Sequence, residues 1–190
     1  LFDAHTHFAG TMCQKNPGKD HNVLGSLAAG WSPHKFEYFA CALAQLREAL
    51  CAGVTSVREV GGPYGQALSH IIQSGLVPGP HFHYANRALG ITGGHTDQQY
   101  LPVGIPRHDH EHIESYEYFG ALCDGVPECL KKVREQIRGQ ADVVKIMTSG
   151  GVLTAFDQPT NQEFSLEEAT AIVEEAKRSH RGTAAHAHAH

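Results

Sequence analysis

The 190-residue chain has 41% hydrophobic and 18% charged residues, which is ordinary for a globular domain and names no function. Its 15 histidines equal its lysines and arginines combined, and the formal net charge is −5 with neutral histidine. The basic residues are scattered and do not cluster with aromatic residues, so nothing supports nucleic-acid binding. Apolar runs fall well short of the roughly 20 residues of a membrane span, so no membrane partner is expected.

Strand and helix signals alternate along the chain, which predicts βαβ units and a parallel sheet. The run from Asp142 to Met147 is almost entirely apolar, as is typical of a strand buried on both faces. Together the predicted strands are Leu1 to His5, Val54 to Val60, His81 to Leu89, Asp142 to Met147 and Thr183 to His188.

Apolar residues at helical spacing predict a helix between each pair of strands. Ser165 and Glu168 form a capping-box pattern at the start of the last helix. The segments Gly10 to Ser32 and Gly90 to Gly125 are too long for simple connectors, and we expect them to overhang a functional site. The predicted helices are Ser32 to Leu50, Ala67 to Ile72, Pro127 to Ile137 and Leu166 to Ala176.

The five cysteines form no Cys-x-x-Cys pair, and a full disulfide scheme would leave one unpaired. We expect reduced, mostly packed thiols. We also expect a cytoplasmic rather than a secreted protein.

Histidines and one lysine lie at or near the ends of predicted strands. His5 and His7 are two residues apart, so their imidazoles point to one face of the first strand and can bind one metal ion. Lys145 lies in the apolar strand with no obvious charge partner, and desolvation there favours its neutral amine. A neutral amine can react with carbon dioxide to form a carbamate, which is able to bridge two metals. The alternatives are a solvated histidine pair and a surface lysine.

Segments spread along nearly the whole chain, including these strand ends, resemble a known protein family. The sequence resembles the amidohydrolase superfamily, and within it the imidazolonepropionase-like branch, which includes metal-dependent Xaa-Pro dipeptidases, carboxypeptidase-like enzymes and ochratoxin-degrading amidases. The matching segments are Asp3 to His7, Gly53 to Glu59, Thr92 to Asp97, Val144 to Gly151 and Ala184 to His188.

The resemblance implies an α/β fold of the TIM (β/α)₈ type, which takes about 250 residues. Residues 1–190 would then be the N-terminal part of one catalytic barrel and cover about the first five βα units. The rest of the barrel, and any flanking β-sandwich, would lie outside the chain.

The resemblance also implies a binuclear metal centre, with zinc the expected metal and a hydroxide between the two ions. His5 and His7 would bind the more buried ion, His186 would help to hold the second, and carbamylated Lys145 would bridge them. His95 and His188 would lie near the substrate, although His95 could equally be a turn histidine. A further histidine ligand and a proton-shuttling aspartate would come from later strands, so we expect this segment alone to be inactive.

The function implied is hydrolysis of an amide or peptide bond in a small peptide-like or N-acyl amino acid substrate, as in an Xaa-Pro dipeptidase. One alternative is a mononuclear cyclic-amide hydrolase of the imidazolonepropionase type, but such enzymes generally lack the lysine on the fourth strand. Another is a non-catalytic metal-binding protein, which would need only clustered histidines. A homo-oligomer is left open.

Two further patterns have simpler interpretations. The run from His108 to His112 alternates histidine with acid and could bind a structural zinc, but we interpret it as a hydrophilic surface loop. Ser149, Gly150 and Gly151 could bring backbone amides to the site, but we favour a turn that ends the strand.

Overall fold

The computed structural model describes residues 1–8, 35–62, 64–97, 120–152 and 157–188. Strands and helices alternate as predicted except within residues 81–122, where the structure describes three strands and no helix, and every pair of neighbouring strands is parallel. The elements are β1 Phe2–Thr6, α1 Lys35–Cys51, β2 Ser56–Glu59, α2 Gly65–Gln73, β3 His81–Tyr84, β4 Ala88–Gly90, β5 Gly120–Leu122, α3 Val126–Arg138, β6 Val143–Met147, α4 Leu166–Arg178 and β7 Gly182–His186.

The strands form two sheets, with the orders β1-β2-β3 and β5-β4-β6-β7. Asp142, just before β6, connects them: its backbone N–H donates to the Tyr84 carbonyl at 2.8 Å, and its side chain accepts from the Tyr84 N–H at 3.1 Å. β3 and β4 are consecutive in the chain, so β1, β2, β3, β4, β6 and β7 follow one another in chain order, whereas β5 pairs with the other edge of β4.

The third predicted strand, His81 to Leu89, is wrong as a single element. Asn86 has a φ of 54°, which interrupts the extended backbone between β3 and β4. Asn tolerates this left-handed conformation better than most residues, so the chain changes sheets there.

The prediction of a loop from Gly90 to Gly125 is also wrong at its ends, since Gly90 belongs to β4 and Gly120–Leu122 forms β5. β5 consists of Gly, Ala and Leu, which carry little intrinsic strand preference, and its pairing with β4 provides the hydrogen bonds. The segment Gly10 to Ser32, most of the second long segment, and the run from His108 to His112 lie outside the described residues.

The capping box of α4 is confirmed. The Ser165 hydroxyl accepts from the Glu168 N–H at 3.2 Å, and the Glu168 carboxylate accepts from the Ser165 N–H at 2.8 Å. These two bonds satisfy backbone donors at the start of the helix.

Two hydrophobic clusters form the core, one around β2 and β3 and the other around β4 and β6. All five residues of β6 are buried, whereas four of the five residues of β1 are exposed. Within the described ranges, no helix is long and apolar enough to cross a membrane.

The expectation of reduced cysteines is wrong for Cys41, which is disulfide-bonded. Cys51, Cys123 and Cys129 are free.

Candidate metal centre

His5 and His7 lie at the end of β1 with their ring nitrogens facing each other. Their Nε2 atoms are 3.3 Å apart. Two nitrogens that bind one tetrahedral zinc ion at the usual bond lengths are about 3.3 to 3.4 Å apart. The separation of the two nitrogens is therefore compatible with one ion between the rings, which remains a prediction.

The surroundings of His7 set its tautomer. Its Nδ1 lies 2.8 Å from the Gly61 carbonyl oxygen, which can only accept, so Nδ1 carries the proton and donates. Nε2 is then left with a lone pair, the form that binds metals. Desolvation, opposed by this hydrogen bond and assisted by Lys145, lowers the pKa of His7 and so favours the neutral ring.

Lys145 lies in the middle of β6 and is only 1% exposed. Burial, followed by the positive charge of Arg58, lowers its pKa to about 8. The amine makes no hydrogen bond or ion pair with any residue that the structure describes. A buried amine with a lowered pKa has the reactivity that carbamate formation needs, because the neutral form is the nucleophile.

His186 lies on β7 on the same side of the sheet as Lys145. Met147 pairs with His186 in the register of β6 and β7, and Met147 is two residues from Lys145, so both side chains share a face. The His186 Nε2 donates to the Gly150 carbonyl at 3.1 Å, which leaves Nδ1 without a proton in the neutral ring. Burial is the main cause that lowers the pKa of His186.

Electrostatic interactions relate these residues to one another. Desolvation is the largest cause that lowers the pKa of His5, and the next three are the positive charges of Lys145, His7 and His186. The charge of Lys145 thus reaches His5, His7 and His186, since it contributes to the lowered pKa of each of them. Among the described residues, however, no group of three or more His, Cys, Asp or Glu side chains could hold a metal ion. A carbamate on Lys145, or ligands from elsewhere, would have to complete each ligand set.

Both histidines that were predicted near the substrate lie beside His186. The His95 and His186 rings stack with centroids 4.4 Å apart and planes 16° from parallel. The His188 ring meets His186 edge-on at 4.6 Å, and its backbone N–H donates to the Ser149 hydroxyl at 2.7 Å. The loop after β4 and the end of β7 thus bring His95 and His188 to one place.

The predicted turn at Ser149, Gly150 and Gly151 is wrong, because Ser149 forms an antiparallel bridge with Gln162 and the Gly150 N–H donates to the Asn161 carbonyl at 3.0 Å. The Gly151 N–H donates to the Asp157 carboxylate at 2.6 Å, and the Gly150 carbonyl accepts from His186. A Cβ at Gly151 would overlap the His95 ring, so glycine is needed for the close approach of these two loops. Neither group is left over to bind a ligand.

Sequence reasoning missed three buried acidic residues. Asp157 accepts from His95 Nδ1 at 2.5 Å, and Glu163 accepts from the His95 backbone N–H at 2.5 Å. Glu59 accepts from the Phe8 N–H at 2.6 Å, and burial raises its pKa well above the usual range. Their only signal in the sequence is a position at or after a strand end, which does not separate them from surface acids.

Comparison with known proteins places this geometry in a family. The amidohydrolase family model matches residues 1–190. The ochratoxinase of Aspergillus niger is 37% identical over 199 residues, covering 99% of this chain and 38% of the relative. The chain thus spans about two fifths of the length of the curated relatives it matches.

Solved structures of related proteins have a similar fold. The A. niger ochratoxinase structure matches 100% of this chain and 42% of its own chain, with a TM-score of 0.81 and 34% identity. A prolidase complexed with N-methylphosphonate-L-proline covers 98% of this chain and 42% of its own, with a TM-score of 0.79 and 30% identity. The structure of an Xaa-Pro dipeptidase with bound methionine matches 100% of this chain and 43% of its own chain, with a TM-score of 0.75 and 26% identity. The parallel βα fold described above is accordingly part of a TIM-type barrel, and the chain belongs to the amidohydrolase family.

Proposed function

We propose that the intact protein is a metal-dependent amidohydrolase that cleaves an amide or peptide bond in a small peptide-like or N-acyl amino acid substrate. The observation that carries this proposal is the buried Lys145, whose amine has no partner among the described residues and whose charge lowers the pKa of His5, His7 and His186. A lysine in this environment has no evident structural role. Perturbed ionisable groups that meet at strand ends are typical of catalytic sites.

The residues divide into two ligand sets. His5 and His7 would hold one divalent ion and His186 a second, with zinc expected from the imidazole ligands and the 3.3 Å separation of the His5 and His7 nitrogens. Lys145 would contribute to both sets as a carbamate: its nitrogen bonds to the carbon of CO₂ and loses a proton, which leaves a carboxylate. Two bound ions would supply an activated water and polarise the scissile carbonyl.

Substrate choice follows from the imidazoles beside the metal centre. A ring N–H of His95 or His188 can donate to a carboxylate and so fix the amide over the ions. The related structures include a prolidase with N-methylphosphonate-L-proline and an Xaa-Pro dipeptidase with methionine, and both ligands carry a carboxylate. We therefore infer that the intact protein releases a C-terminal amino acid and prefers such substrates over cyclic amides.

The test compares two substrates on the intact, metal-loaded protein. We expect kcat/KM for an N-acyl amino acid to exceed that of its carboxamide analogue by a factor equivalent to about 1.5 to 3 kcal/mol, the value of a hydrogen bond to a charged group. Equal values would remove carboxylate recognition. No hydrolysis of either substrate would contradict the proposed function.

A mononuclear cyclic-amide hydrolase is the second candidate. It is favoured only by the absence, among the described residues, of a complete set of imidazole and acidic ligands. The state of Lys145 in the metal-loaded intact protein separates the two. A carbamate in electron density supports the binuclear proposal, and an unmodified amine supports the alternative.

A further inference from the structure

Asp157 is a buried carboxylate with two donors on one oxygen. Its Oδ2 accepts from the His95 Nδ1 at 2.5 Å and from the Gly151 N–H at 2.6 Å. The Asp157 side chain is 3% exposed and the His95 side chain 13%. The two side chains are 62 residues apart in sequence, so the contact joins the loop after β4 to the loop after β6.

This contact determines where a neutral His95 carries its proton. An ionised carboxylate can only accept, so the ring must donate from Nδ1, and Nε2 then keeps an unshared electron pair. Nε2 makes no hydrogen bond with any residue in the described ranges, and the ring is pinned between the His186 ring and the Gly151 backbone. Glu163 fixes the backbone of the same residue by accepting the His95 N–H at 2.5 Å.

We propose that Asp157 is a positioning residue that holds His95 in the Nδ1–H tautomer, so that His95 presents an unprotonated Nε2 to the site and accepts a hydrogen bond from the substrate. A carboxylate or carbonyl has no such proton to offer. This deepens the proposed function, on which it rests, because it assigns the substrate's carboxylate to His188 and a donor, such as an amide N–H or an ammonium group, to His95.

The first test measures the tautomer in the wild-type protein and uses a variant only to assign the signals. In the intact protein labelled with ¹⁵N-histidine, long-range ¹H–¹⁵N spectra distinguish a protonated from an unprotonated ring nitrogen, and the signals missing from His95→Asn identify His95. At pH about 8, where an unperturbed imidazole is neutral, we expect a protonated Nδ1 and an unprotonated Nε2. A protonated Nε2 with a bare Nδ1 would overturn the proposal, whether or not the protein hydrolyses amides.

The second test compares Asp157→Ala with a matched control, Asp124→Asn. Asp124 also accepts two hydrogen bonds in the loop after β4, from the Thr92 N–H at 3.0 Å and the Thr92 hydroxyl at 2.6 Å, but it does not touch the His95 ring. We expect Asp157→Ala to lose the Nδ1–H signal and to lower kcat/KM about 10- to 100-fold, the usual effect of removing the partner that orients a functional imidazole. Asp124→Asn should keep the Nδ1–H signal and the wild-type kcat/KM.

A purely structural role for Asp157 gives a different result. In that case Asp157→Ala would lose stability but keep the wild-type tautomer, and this outcome contradicts the proposal. If Asp157→Ala does not fold, the wild-type spectrum still decides. Failure of the wild-type protein to hydrolyse any amide, with the Nδ1–H tautomer present, would instead count against the proposed function alone.

Discussion

The Lys145 amine occupies a position on β6 where a hydrophobic side chain would be more stable. Burying a polar group without a hydrogen-bond partner costs about 1 to 3 kcal/mol by mutational measures, and the described residues supply no partner for this amine. Among the described residues, Glu59 and Glu163 each have one carboxylate oxygen that is buried without a hydrogen-bond partner. Residues of this kind persist where function outweighs stability.

Lys145→Met tests this trade-off. Methionine is similar in length to lysine but has no amine, so we expect the unfolding free energy of the metal-free intact protein to stay the same or rise by about 1 to 3 kcal/mol. The same variant should lose bound metal and hydrolytic activity. Denaturant titration, metal analysis and turnover measure the three quantities. Retained metal with full activity would exclude a bridging carbamate.

Glu163 should make stability depend on pH. Burial raises its pKa from 4.5 to about 7. Between these values the folded protein keeps a proton that the unfolded chain releases, so the unfolding free energy falls as pH rises. The stabilisation is fully present below pH 4.5 and is lost by about pH 7, a loss of about 3 kcal/mol.

The measurement is urea denaturation of wild type and Glu163→Gln across this pH range. Glutamine resembles the protonated acid, so the variant should match wild type at low pH and be more stable than wild type near neutrality. Glu174→Gln on the exposed face of α4 is the matched control and should follow wild type. Parallel curves for wild type and Glu163→Gln would show that Glu163 does not titrate in this range.

At the scale of elements, local patterns were enough to predict where the proposed ligands lie in the fold but not which residues contact the other site histidines. Spacing of two residues on a strand places His5 and His7 on one face, and an apolar run places Lys145 in the interior; the structure confirms both placements. The contact between His95 and Asp157 depends on how two loops pack, and no local pattern encodes it. Acidic loop residues are common, so Asp157 could not be distinguished from them.

The errors in strand prediction also arise because tertiary contacts are not encoded in local sequence patterns. The apolar run His81 to Leu89 is continuous in the sequence, but Asn86 divides it between two sheets. Conversely, Gly120–Leu122 has weak strand propensity and becomes β5 because β4 offers it backbone partners. In both cases tertiary hydrogen bonding outweighs local preference.

At the scale of the whole molecule, the proposed ligands lie on different sheets. His5 lies on β1 in the first sheet and His7 directly follows that strand, whereas Lys145 and His186 lie on β6 and β7 in the second sheet. Ions bridged by Lys145 would therefore add a connection between two sheets that also meet through Asp142 and Tyr84. Metal binding should couple to the stability of the fold and not only to catalysis.

This coupling predicts a metal-dependent unfolding temperature for the intact protein. At a zinc concentration about 100 times the dissociation constant, binding to the folded state adds about 2.7 kcal/mol to the free energy of unfolding. We expect this gain to raise the Tm by several degrees. A chelator should reverse the rise. His7→Asn removes a ligand and should largely abolish the zinc-dependent shift, whereas His70→Asn, at an exposed position on α2, should preserve it. Equal shifts in both variants would place the stabilising metal outside the site formed by His5, His7, Lys145 and His186.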